Sequence, residues 1–162
     1  LGRALADGEE TLVNIRRTYY SAAFGKYAPF AEEAYGMLEK YVPFSYVREE
    51  TGGSEYIPLL VTGREKIKET LEKMPEERDS EVVSVSLSLL EFALKNTLGI
   101  VECLIMKAKG AEPSALEREE EKRVEFFNLN EKKFQPYVDG FYFNMITEGI
   151  VKSEKVGIYA GD

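Results

Sequence analysis

The residue pattern predicts a mainly α fold of about six helices with one β-hairpin near residues 44–62. Three observations carry this. Apolar residues recur every three or four positions through most of the chain, and prolines and glycines fall between those runs. One region, residues 44–61, lacks the helical period and contains the turn signal Thr51-Gly52-Gly53-Ser54. An α+β arrangement replaces the mainly α one if residues 100–107 form a strand.

Asp7 and Glu10 have capping-box spacing, and Leu12, Ile15, Tyr19, Ala22 and Ala23 follow at helical spacing. A first helix over about residues 8–24 follows, with those five as its core face. Gly25 and Pro29 interrupt it, and Pro29 suits the first turn of a second helix, where a missing amide proton costs nothing. Phe30, Ala34, Met37, Leu38 and Tyr41 are that helix's apolar face, and Pro43 ends it.

Beyond the glycine turn, Tyr56, Ile57, Leu59, Leu60 and Val61 are rich in strand formers, and Pro58 confines such a strand to an edge or a bulge. Thr62 and Glu65 repeat the capping-box spacing. They start a third helix with Ile67, Leu71 and Met74 on its apolar face, stopping before Pro75. Residues 75–80 form a charged linker.

Two periods compete in the next segment. Val83, Val85, Leu87 and Leu89 alternate with serines, as in a strand. Val83, Leu87, Leu90, Leu94, Leu98, Val101 and Ile105 step by three or four, as in a helix. The helical pattern runs further, and length decides between them. A long helix therefore starts near Ser80. Gly99 is a natural stop, which would leave residues 100–107 as a buried strand.

Ser114 with Glu117 caps a further helix that is highly charged up to Arg123 and then apolar at Val124, Phe126 and Phe127. Pro136 opens a last one, striped by Tyr137, Phe141, Tyr142, Met145, Ile146 and Ile150. Residues 1–162 read as a single domain, and the start at Leu1 reads as a chain processed or excised from a longer protein.

The composition then bounds the chemistry. The chain has 162 residues, a formal charge of −8, one cysteine and no histidine. An acidic surface repels nucleic acid and anionic lipid, so neither is an expected partner. Abundant Glu and Lys with few amides point to a heat-adapted, thermostable protein. With neither an apolar run of about 18 residues nor a signal-peptide pattern, no membrane span and a cytoplasmic location are expected.

Without histidine, the Ser-His-Asp triad, the Cys-His dyad and histidine-based zinc sites are excluded within this chain. The common phosphate-cradling glycine motifs are absent, and no cofactor is expected. Cys103, among Val101, Leu104, Ile105 and Met106, reads as a buried thiol.

Three groups of polar residues and the aromatics carry the remaining candidate chemistry. Arg16, Arg17, Tyr19 and Tyr20 make a ligand-binding candidate, since guanidinium forks bind phosphate or carboxylate and tyrosine stacks on rings. The same arginines equally read as flanks of a core face. Glu117 and Glu121 share a helix face and could hold a hard cation, or could belong to a solvated run of mixed charge pairs. Glu91 and Glu102 interrupt the apolar stretch, which suits a tuned acid or base; each also reads as a carboxylate on the wet face or one paired with Lys95. The aromatics cluster near residues 19–46 and 126–143, and would line a pocket or an interface if the two regions meet.

The sequence thus favours a non-enzymatic, self-associating protein-interaction module with aromatic and apolar surface. A small-molecule domain with an aromatic pocket and an arginine anchor is the alternative, and a carboxylate-metal enzyme the second alternative.

Overall fold

A computed structural model describes residues 11–42 and 56–138. They form five α-helices, α1 (Leu12–Phe24), α2 (Ala28–Tyr41), α3 (Ile57–Glu72), α4 (Glu81–Ala108) and α5 (Pro113–Phe134), with a 3-10 turn at Gly25–Tyr27. There is no strand among the described residues. The mainly α class holds; the first capping box, the proposed turn at residues 51–54 and the last predicted helix beyond residue 138 lie outside the described residues.

The helix ends follow local chemistry. Thr11 caps α1 by accepting from the Asn14 amide at 3.3 Å, and Gly25 ends it at φ 54°, a left-handed conformation that glycine adopts without a steric penalty. Pro29 lies in the first turn of α2, as its missing amide proton predicts. Ser80 caps α4, accepting from the Val83 amide at 3.2 Å.

Four expectations are corrected. Residues 57–61, expected as the second strand of a hairpin, form the first turns of α3. Pro58 sits in that first turn, where a proline is as acceptable as on a sheet edge, and Leu60, Gly63 and Ile67 supply a buried helical face. Thr62 is not a cap: it lies inside α3 and its hydroxyl donates to the Pro58 carbonyl at 2.8 Å. Ser114 is likewise inside its helix, since α5 begins at Pro113 with Glu112 in the capping position. Residues 100–107 are helical, so α4 runs unbroken through Gly99 and the α+β alternative falls.

α4 is the axis of the fold. Leu87, Leu90, Leu94 and Val101 are fully buried on one side, in a core shared with α1, α2 and α3. Each such leucine contributes about 1.5–3 kcal/mol by leaving water. Phe92, Asn96, Gly99 and Cys103 step down another side of α4, which carries α5. There Phe92, Phe127 and Phe134 form a second, smaller cluster, with the Phe92 and Phe134 ring centres 4.5 Å apart. Packing, not propensity, separates the two.

α1 buries a different side from the one its periodicity predicts. Tyr20 and Phe24 enter the core and pack on Tyr35, with ring centres 5.9 and 6.5 Å away. Of the five predicted residues, Ala23 packs half-buried on the main core and Ile15 is half-buried, while Leu12, Tyr19 and Ala22 are exposed. Two rings, at positions 20 and 24, fill the space under α2, where the predicted stripe would place one ring and two alanines.

Candidate functional site

The most unusual chemistry of the described residues lies between α4 and α5. Glu120, Arg123 and Asn96 are its buried polar side chains. On α5, Glu120, Arg123, Phe127 and Phe134 follow one face, so the helical turn that buries Phe127 also carries an acid and a base inward. On α4, Asn96 and Cys103 face them. Gly99 lies between, because a Cβ there would come within 2.9 Å of Arg123 Cγ. The side chain of Arg123 thus crosses α4 where α4 has none.

Arg123 and Glu120 form a two-pronged pair, Nε to Oε2 at 2.9 Å and Nη2 to Oε1 at 2.5 Å. This parallel fork is the strongest arrangement open to these two groups. Arg123 Nη1 also donates to Asn96 Oδ1 at 3.3 Å, which fixes the amide's orientation. Asn96 Nδ2 is then left buried with no hydrogen-bond partner. Cys103 completes the cluster, its thiol donating to Glu120 Oε2 at 3.7 Å.

Burial pushes the Cys103 thiol up to about 12, and the adjacent Glu120 carboxylate adds to this against the opposing charge of Arg123. The thiol is protonated at neutral pH and has no nucleophilic form to offer. The cluster carries one positive and one negative charge, both on α5. Its geometry suits holding two helices in register, with no exposed acid, base or nucleophile.

The residues singled out from the sequence are placed as follows. Arg16 and Tyr20, four apart, share one side of α1. Arg16 donates to Glu39 at 3.3 Å, and a hydrogen bond with Tyr20, then the Glu39 charge, holds its guanidinium above the ordinary value. Arg17 and Tyr19 are exposed and lead away from that side, since successive helical residues diverge by about 100°. Tyr19 still meets Tyr20 edge-on, with ring centres 5.7 Å apart, so Arg16, Tyr19 and Tyr20 are neighbours while Arg17 lies on another side of the helix. Glu117 and Glu121 are both exposed on α5. Among the described residues, no group of three or more His, Cys, Asp or Glu side chains could hold a metal ion. Glu91 takes Lys95 at 2.7 Å, as its spacing predicts. Glu102 instead meets Arg64 and Lys68 of α3, at 3.5 and 3.7 Å.

Sequence reasoning missed Asn96, Glu120 and Arg123. The last two were hidden in a charged run that reads as solvated surface. The available signal was their spacing, three and four residues apart on the face that continues to Phe127. The two aromatic regions, so far as described, belong to separate clusters: Tyr20 and Phe24 to the main core, Phe127 and Phe134 to the smaller one. No helix among the described residues is long and apolar enough to cross a membrane. No family model, no curated protein and no solved structure matches the chain.

Proposed function

We propose that the chain is a non-enzymatic helical interaction module that associates with further copies of itself through the outer side of α1. The observation that carries this is the displaced apolar stripe. Leu12 is 71% exposed, Val13 64% and Tyr19 58%, while Tyr20 and Phe24 of the same helix are buried. A surface helix ordinarily keeps its outward side polar; one that is apolar on two sides suits burial on both. Several large apolar side chains left exposed on one helix are the kind of surface that interaction sites use.

The alternative small-molecule reading draws less support. Its arginine anchor is split between two sides of α1, and its aromatic lining between two clusters.

Light scattering on size-exclusion fractions tests the proposal. The expected mass is a multiple of 18.4 kDa for the wild-type chain and 18.4 kDa for the Leu12→Glu/Tyr19→Glu variant, with unchanged helical circular dichroism. A wild-type chain that stays monomeric across about three decades of concentration, spanning the micromolar to millimolar range of weak association, overturns it.

A further inference from the structure

We infer that α5 is an exchangeable arm, and that the groove on α4 beneath it takes the α5 of a second copy in a reciprocal swap. This interface is distinct from the α1 stripe and stands without it.

Four observations support it. First, α4 is the extended neighbour of α5 among the described helices, and the cluster of Phe92, Phe127 and Phe134 is separate from the main core. Among the described residues, the larger core takes none from α5. Second, both charges of the buried pair sit on α5, three residues apart. Lifting the arm off keeps this pair together, whereas a pair split between two elements would leave an uncompensated buried charge. The polar bonds that cross the interface within the cluster are Arg123 to Asn96 at 3.3 Å and Cys103 to Glu120 at 3.7 Å. The buried Nδ2 of Asn96, unpartnered when the arm is down, gains water when it lifts.

Third, the groove is keyed to one occupant. Arg123 needs the missing side chain at Gly99, and Glu120 needs the thiol of Cys103. The helix that satisfies both is α5, and every copy carries one. Fourth, the connection is short. Residues 109–112 join the two helices, with Gly110 at φ 69° where the chain reverses. A glycine there can leave the left-handed conformation freely. The exchanged form re-forms the same α4–α5 contacts between two copies, with the reversal at Gly110 opened out.

Cys103 reports on the arm, being the sole thiol of the chain and buried under Glu120. In the full-length chain under native conditions, iodoacetamide should label Cys103 about tenfold or more faster than global unfolding allows, because a sub-global opening suffices. Labelling at the global unfolding rate overturns the arm.

Exchange is read separately in the Leu12→Glu/Tyr19→Glu background, where association through α1 is blocked. Concentrated protein held just below its unfolding temperature and then cooled should contain a species of twice the monomer mass that survives dilution. Inserting a short Gly/Ser segment between Gly110 and Ala111 should abolish it, since a longer connection lets each arm close on its own chain. Equal dimer from both chains, or none from either, overturns the exchange and leaves the α1 proposal untouched.

Discussion

A thiol buried beside a carboxylate stays protonated well past the pH at which an exposed one ionises. Cys103 illustrates the consequence for stability. In the unfolded chain it gives up its proton near its ordinary value of 9.0, whereas in the folded chain it holds the proton to about 12. Below pH 9 both states carry the proton and the group contributes no pH dependence. Between the two values the folded state binds more protons than the unfolded one, so stability falls as pH rises. The slope from this one group is at most about 1.4 kcal/mol per pH unit. Lysines and tyrosines titrate in the same range, so the informative quantity is a difference. Urea denaturation between pH 8 and 11 should show wild-type stability falling more steeply than that of Cys103→Ala. Parallel curves would mean that the thiol ionises alike in both states.

At the level of helices, the ends are set by single side chains. Ser80 precedes α4, on which every other helix that buries residues in the main core depends, and its hydroxyl satisfies the Val83 amide. Ser80→Ala should cost about 0.5–2 kcal/mol in urea denaturation, and Ser80→Asp should recover most of it. A loss below about 0.3 kcal/mol would show that water replaces the cap.

The same helices show what can be read from sequence and what cannot. α4 was legible because its three-and-four spacing persists far longer than the competing alternation at residues 83–89. The start of α3 was not, because Ile57, Pro58 and Val61 satisfy the rules for an edge strand and for a first helical turn equally. The inward side of α1 was not legible either: Leu12, Ile15 and Tyr19 have the better spacing, but Tyr20 and Phe24 meet Tyr35, which only the tertiary arrangement reveals. The polar cluster was hidden for a related reason. A charge inside an acidic run looks solvated until a neighbouring helix offers a glycine for it to cross.

The whole described molecule has two cores of unequal size on different sides of one helix. The larger joins α1, α2, α3 and α4; the smaller joins α4 and α5. This makes their dependence one-way. α5 can leave without disturbing the larger core, but loss of the larger core removes the helix on which α5 lies. Two substitutions separate these cases. Phe127 is 1% exposed in the small core and Leu87 0% in the large one. Phe127→Ala should cost about 3–5 kcal/mol and Leu87→Ala about 2–5 kcal/mol, since both leave cavities in well-packed surroundings. Their effects on amide hydrogen exchange should nevertheless differ. Phe127→Ala should accelerate exchange in α5 while α1, α2 and α3 keep their wild-type protection. Leu87→Ala should accelerate exchange in all five helices, because α4 serves both cores. If Phe127→Ala instead lowers protection equally in every helix, the two cores unfold as one cooperative unit and α5 does not open independently.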